Sequence, residues 1–368
     1  MSRAFLIAKK RFITYVEYTM NFGFWKKLKK PIFVLAPMAD VTDAAFRRLI
    51  VKYGKPDVLW TEFVSADGLD SIGKENLIRD LEYVEAERPI VAQFFSPDPA
   101  KMKRAAELAV ELGFDGIDLN MGCPDKNVVK QGSGSAMIRT PDKAKEVIRA
   151  AKAGACLRQG SGRQASSLPV SVKTRIGYSK DSEMEMWVRA ILEEEPAVLT
   201  LHARTKKDMS KVPARWENIK RAVEIRDEMK SETLIFGNGD VWTLDEAKKK
   251  VVETGCDGIM IGRGIFGNPW FFADKKEPPT IEEKLQVLVE HTKLFEKLVG
   301  TDRSDFTFGS KKLTTKQPVH GKNFAIMKKH FKAYVRDWPG ASELRAKLME
   351  TNSAREVEVI VRKYLSSK

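Results

Sequence analysis

Between residues 31 and 280, short apolar runs alternate with helix-starting signals eight times over, a rhythm that few folds accept. The runs lie at 31–37, 58–63, 89–95, within 115–124, and at 169–174, 197–201, 233–236 and 258–261. Thr42 precedes the helical stretch 44–52, Asp98-Pro99 precedes 100–112, Thr140-Pro141 precedes 142–153, and Thr243 precedes 244–254. Each supplies a side-chain oxygen that can cap a helix, and twice a proline follows at the first helical position. Further helices are expected at 182–195 and 216–230. Eight strands separated by helices over about 250 residues fit a (β/α)8 TIM barrel better than an open doubly wound sheet. No Gly-x-Gly-x-x-Gly follows the first strand, which argues against a dinucleotide-binding Rossmann unit.

From residue 281 the pattern changes. Stretches 281–299, 323–336, 341–351 and 354–365 read as amphipathic helices with no strands between them, so a C-terminal all-helical domain (281–368) is expected after the barrel (31–280). Residues 154–168 and 300–322 are polar and glycine-containing, and are expected to be surface loops, the first of them mobile. Charge divides along the same lines. Residues 1–30 hold eight Lys/Arg and one acid, residues 281–368 hold 18 and 11, and the middle is neutral, although the whole chain carries +14. Basic ends around a neutral core suit a polyanion such as nucleic acid. For residues 1–30, a disordered solvated tail accounts for the same charge. No apolar run is long enough for a membrane span, no secretion signal is evident, and Cys123, Cys156 and Cys256 form no Cys-x-x-Cys pair for a metal cluster. A reducing cytoplasm is the expected location.

The loops after the strands form the mouth of such a barrel. In 115–124, Ile117 and Leu119 alternate as in a strand, and Gly122 and Pro124 bracket Cys123 so that its thiol falls on a strand-end loop. A small buried hydrophobe is the alternative for a lone cysteine. Strand seven finishes in Gly237-Asn238-Gly239-Asp240 and strand eight in Gly262-Arg263-Gly264, where backbone amides can approach a phosphate and Arg263 can add charge. Gln93, Lys173, His202 and Cys123 then face one mouth together.

These residues bring the chain to a family. It resembles the flavin-dependent tRNA-dihydrouridine synthases over roughly 31–366, on Leu35-Ala-Pro-Met-Ala-Asp-Val-Thr-Asp43, Leu119-Asn-Met-Gly-Cys-Pro124, Gly132-Ser-Gly-Ser-Ala136, Val172-Lys-Thr-Arg-Ile-Gly177, Leu201-His-Ala-Arg-Thr205, Gly237-Asn-Gly-Asp240, and Ile261-Gly-Arg-Gly264 with Gly267-Asn-Pro-Trp270. The resemblance implies FMN in the mouth, with Pro37 and Met38 beside its ring, Gln93 and Lys173 on its polar edge, and His202 near its phosphate. It also implies Asn238, Gly239, Asp240, Gly262 and Arg263 around the phosphate and ribityl chain. It implies reduction of the 5,6 double bond of uridines in tRNA, with NADPH or NADH as reductant, Cys123 as the acid at C5, and Asn120 on the flipped base. Lys126, Arg175 and Arg204 are candidates for RNA contacts, the two arginines equally for pairing with acids such as Asp118. Two residues depart from the family pattern: Asp40 and Ser96 stand where glycine is usual, so altered loop geometry is expected there.

The chemistry of the residues agrees with these roles. Hydride addition at C6 leaves C5 in need of a proton, and a thiol that stays protonated near neutrality can supply it. A uridine inside folded RNA must be drawn from its stack by a surface that grips the backbone, and the basic ends offer one. Two other readings compete: a barrel flavoenzyme for a free small molecule, which needs no basic helical appendage, and an RNA-binding protein that has lost catalysis, which needs no intact Cys123, Lys173 and His202.

Overall fold

The structure, a computed structural model, describes residues 21–71, 73–156, 167–273 and 277–367. Eight parallel strands, Ile32–Leu35 (β1), Leu59–Ser65 (β2), Ile90–Phe95 (β3), Gly116–Met121 (β4), Val170–Gly177 (β5), Val198–Thr205 (β6), Leu234–Asn238 (β7) and Gly258–Ile261 (β8), form one sheet in which β2 to β8 each pair with the next and β8 pairs with β1. Between β1 and β2 the ring is drawn together by a parallel bridge from Val34 to Val58 and by the Leu35 amide donating to the Val58 carbonyl at 3.2 Å. The expected barrel is thereby formed.

Helices Ala44–Tyr53, Pro99–Leu112, Pro141–Gly154, Met184–Leu192, Glu217–Glu228 and Leu244–Thr254 run between strands. Asp98 accepts from the amides of Ala100 and Lys101, and Thr243 forms a reciprocal capping box with Glu246, as their sequence positions predict. The first helix differs. Asp43, one residue nearer its start, takes the Phe46 amide at 2.9 Å, and Thr42 instead accepts the Met38 amide at 2.9 Å. Thr140 makes no side-chain cap, leaving Pro141 as the starting signal.

The amino-terminal ends of the strands are stoppered from below. Phe22 and Trp25, three apart on and beside the helical turn Gly23–Lys27, join Ile32, Val34, Trp60, Val198 and Phe236 in one cluster. The Trp25 ring lies 5.9 Å from Trp60 and 5.6 Å, edge-on, from Phe236. The end of the basic extension is therefore part of the barrel floor and not a solvated tail. The rest of the extension, residues 1–20, lies outside the described residues.

Helices Ile281–Phe295, Met327–Tyr334, Ala341–Met349 and Ala354–Ser366 share a core that includes Leu288, Phe295, Phe331 and Val357 and extends to Ala45, Leu49 and Trp270 of the barrel. The carboxyl-terminal part is not purely helical, contrary to the sequence expectation. Arg303–Phe308 (β9) and Lys311–Val319 (β10) form an antiparallel hairpin turning at Gly309-Ser310. Alternation along β9 buries Phe306 and Phe308, while the hairpin end pairs with the barrel flank: the Tyr83 amide donates to the Thr307 carbonyl at 2.9 Å, and the Gly309 amide to the Tyr83 carbonyl at 3.1 Å. Of the loop expected at 154–168, residues 157–166 lie outside the described residues, and Cys156 and Ser167 on either side are bridged antiparallel. Among the described residues no helix is long and apolar enough to cross a membrane.

Candidate active site

Parallel register decides which side chains meet at the mouth. It sets Gln93 beside Asp118, Asp118 beside Ser171, Asn120 beside Lys173, Arg175 beside His202, and His202 beside Asn238. Above this ladder opens a cavity of about 280 Å³, lined by Pro37, Met38, Lys173, Arg175, His202, Arg204, Asn238, Gly239, Asp240, Gly262 and Arg263 among others. Eleven of the residues expected at the site thus share one wall. Gln93, Asn120, Cys123 and Lys126 do not line this cavity, although Pro124 beside the thiol does.

The cavity is cationic. Burial, and then Arg175, push Lys173 down to about 8, and burial pushes Arg175 down to about 10. Burial and then Arg175, Lys173, Arg204 and Arg263 hold His202 well below the usual imidazole range, so it is neutral at pH 7. Asp240 is the carboxylate on this wall, and it is shared by Arg204 and Arg263, the latter at 2.7 Å. Gly239 has φ +129°, and a Cβ there would lie 2.9 Å from that of Ala214. This turn accepts only glycine. A donor set of arginine, lysine and glycine turns after β7 and β8 fits a phosphorylated cofactor.

Cys123 is fixed by its own turn. Asn120 Oδ1 accepts the amides of Gly122 at 3.2 Å and Cys123 at 2.9 Å, Asn120 Nδ2 donates to Gln93 at 3.0 Å, and Gln93 donates to Asp118 at 2.5 Å. Burial pushes Asp118 up to about 6, against the Ser171 and Gln93 hydrogen bonds that lower it. From outside, the Ser135 amide donates to the Cys123 carbonyl at 3.0 Å. Gly134, at φ +59°, leaves the space, since a Cβ there would fall 2.7 Å from that carbonyl. The Gly132–Ala136 motif is therefore the outer wall of the thiol's turn. Burial raises the half-buried thiol above its ordinary range, so it is protonated at neutral pH.

The arginines are committed within the protein. Arg175 donates to the carbonyls of Gly122, Thr205 and Met209 at 2.9, 3.2 and 3.0 Å, bracing backbone rather than an acid. Arg204 pairs with Asp240 and donates to the Val212 carbonyl at 2.6 Å. Asp118, the acid expected to pair with them, is taken by Gln93 and by Ser171 at 2.5 Å. Lys126 is exposed on the short helix Lys126–Lys130. Met209, Ser210, Val241, Trp242 and Met260 also line the cavity and escape the sequence reading; of these Trp242 is half exposed, with the Arg263 guanidinium 5.4 Å from its ring centre. The position of Trp242 directly after the β7 turn was the available signal.

Fold and site together define a (β/α)8 barrel whose cationic mouth fits a phosphorylated group, with a positioned thiol one residue from the Pro124 that lines it. Comparison with known proteins narrows the class. The model of the dihydrouridine synthase (Dus) family matches residues 34–367, and the chain belongs to that family. It is 38% identical over 343 residues to a "probable tRNA-dihydrouridine synthase" of Staphylococcus aureus, covering 93% of this chain and 95% of the relative. It is also 38% identical over 351 residues to "probable tRNA-dihydrouridine synthase 2" of Bacillus subtilis, covering 94% and 99%. Among solved structures, histamine dehydrogenase from Rhizobium sp. 4-9 shares the barrel fold at a TM-score of 0.50 and 14% identity, over 71% of this chain and 48% of that one.

Proposed function

We propose that the chain reduces the 5,6 double bond of specific uridines in tRNA to dihydrouridine, with FMN in the barrel mouth and NADPH as the electron source. The observation that carries this reading is the protonated Cys123 thiol, its turn held by two side-chain-to-amide hydrogen bonds at the rim of a cationic, glycine-walled cavity. When bound, FMN supplies the hydride that saturates C6. Met38 and Pro37 line the cavity where its ring would rest, Arg263 and the turns at Gly239 and Gly262 would hold its phosphate, and Lys173 places positive charge where negative charge develops. Cys123 donates the proton to C5.

Asn120 Nδ2 would exchange Gln93 for the uracil edge while Oδ1 keeps the Gly122 and Cys123 amides. The S. aureus and B. subtilis relatives are named for tRNA, and the basic carboxyl-terminal region of this chain suits an RNA backbone. The test is the visible absorption of the purified protein, followed by NADPH-driven turnover on unmodified tRNA with mass mapping. A flavin spectrum and a uridine heavier by two hydrogens are expected. A flavin spectrum with no RNA product would favour a small-molecule reductase, and no uptake of flavin would refute the reading.

A further inference from the structure

Lys322 lies just beyond β10, in the carboxyl-terminal region, yet its ammonium sits on the barrel, between β2 and the turn that follows β1. It is 3.2 Å from both Glu62 oxygens, 3.1 Å from Asp80 and 3.4 Å from Asp40. Its side chain is 14% exposed and that of Glu62 5%. The backbone delivers it there: the Lys322 amide donates to the Val299 carbonyl at 2.8 Å, and the Gly321 amide to Asp302 at 2.7 Å. Burial and then Asp80 push Glu62 up to about 7, with Asp43 adding to the rise and Lys322 and the Asp40 amide opposing it.

What the cation grips is the turn 38–42. Met38 in that turn lines the cavity, the Val41 and Thr42 amides return to the Met38 carbonyl at 3.1 and 3.0 Å, and the Asp40 amide donates to Glu62 at 2.5 Å. Asp40 has φ +54°, a backbone region that favours glycine, and it stands where the sequence resemblance calls for glycine. An aspartate held in left-handed backbone needs compensation, and its carboxylate faces Lys322. We infer that Lys322 is a positioning residue: through Glu62 and Asp40 it pins the turn carrying Met38, so that the carboxyl-terminal region sets one wall of the cofactor cavity. The inference rests on the reading of that cavity as the FMN site.

The test is FMN titration of the apoprotein, with hydrogen exchange at amides 38–42 measured alongside. Lys322→Met should raise the FMN dissociation constant by about tenfold and speed exchange in the turn, and Lys322→Arg should restore most of both. Asp80→Asn, which removes a partner of Lys322 without touching the turn, should lower the melting temperature and leave FMN affinity unchanged. A merely structural lysine would give the two neutralising variants the same pattern. If Lys322→Met does not fold, Asp40→Asn keeps the side-chain shape in a residue that tolerates left-handed backbone and removes only the charge, and it should weaken FMN by about threefold. Wild-type affinity in Lys322→Met, or in the Asp40 variant where Lys322→Met does not fold, would overturn the inference. A wild-type chain that takes up no FMN would refute the reading of the cavity. Exchange in the turn then decides the clamp by itself: faster in the variant supports it, equal overturns it.

Discussion

Burial keeps the Cys123 thiol protonated while two amides of its own turn are held by Asn120, so the thiol is fixed before any substrate arrives. Cys123→Ala should retain FMN and tRNA binding while turnover falls by about 10²-fold or more, the usual scale of general-acid catalysis. Single-turnover kinetics of the reduced enzyme would read this, and undiminished turnover would remove the thiol from the mechanism. Lys173 makes a second prediction. With its ammonium pushed down to about 8, it loses charge as pH rises through that value, so affinity of the apoprotein for anionic FMN should decline between pH 7 and about 9. Lys173→Met should flatten that decline in a fluorescence titration. The residues at strand ends were legible in the sequence because strand parity alone aims them at the mouth. The partners of Arg175 were not, because they are backbone carbonyls, two of them at and after the end of β6, and no side-chain pattern records a carbonyl.

Among the elements, the hairpin of β9 and β10 shows why a polar stretch can conceal regular structure. Phe306 and Phe308 alternate at strand spacing and a Gly-Ser turn follows, yet the outward residues are so polar that composition reads as loop. Phe308 is fully buried against Tyr83, with ring centres 6.3 Å apart, and Phe308→Ala should cost about 3 kcal/mol in urea unfolding. A loss below about 1 kcal/mol would mean the hairpin end does not pack as described.

Where the helices meet the barrel, the imidazoles of His291 and His330 lie edge to face at 4.5 Å, buried beside Phe46, with no hydrogen-bond partner for any ring nitrogen among the described residues. Burial pushes His330 down to about 3 and His291 well below its ordinary range. Unfolded imidazoles take up protons below about pH 6.5 and these folded ones do not, so the pair favours unfolding progressively as pH falls from about 6.5. His330→Phe removes one such group. Relative to wild type it should gain about 2 kcal/mol of stability at about pH 5 compared with pH 8. An equal difference at both pH values would show that the imidazole is not held neutral.

Across the whole molecule, charge is the property the sequence disclosed most fully, since both basic ends can be counted without coordinates. Barrel and helical region were equally legible from periodicity, whereas the joints between them depend on residues far apart in the chain. Lys328, Lys329 and Lys332 lie on helix Met327–Tyr334, on or next to its exposed face, and the opposite side is buried through His330 and Phe331. Reversing the three charges should weaken tRNA binding and lower the slope of log affinity against log salt, by somewhat under about 1 for each phosphate left unneutralised, with the flavin spectrum unchanged. An unaltered slope would place the RNA on another face.

The stopper at the barrel floor has a consequence for the order of events during synthesis. Trp25 leaves the ribosome before any strand, yet its resting place is bounded by Trp60 on β2 and Phe236 on β7, so its seat does not exist until nearly all of the barrel has been made. The first described segment to emerge is therefore among the last that can settle.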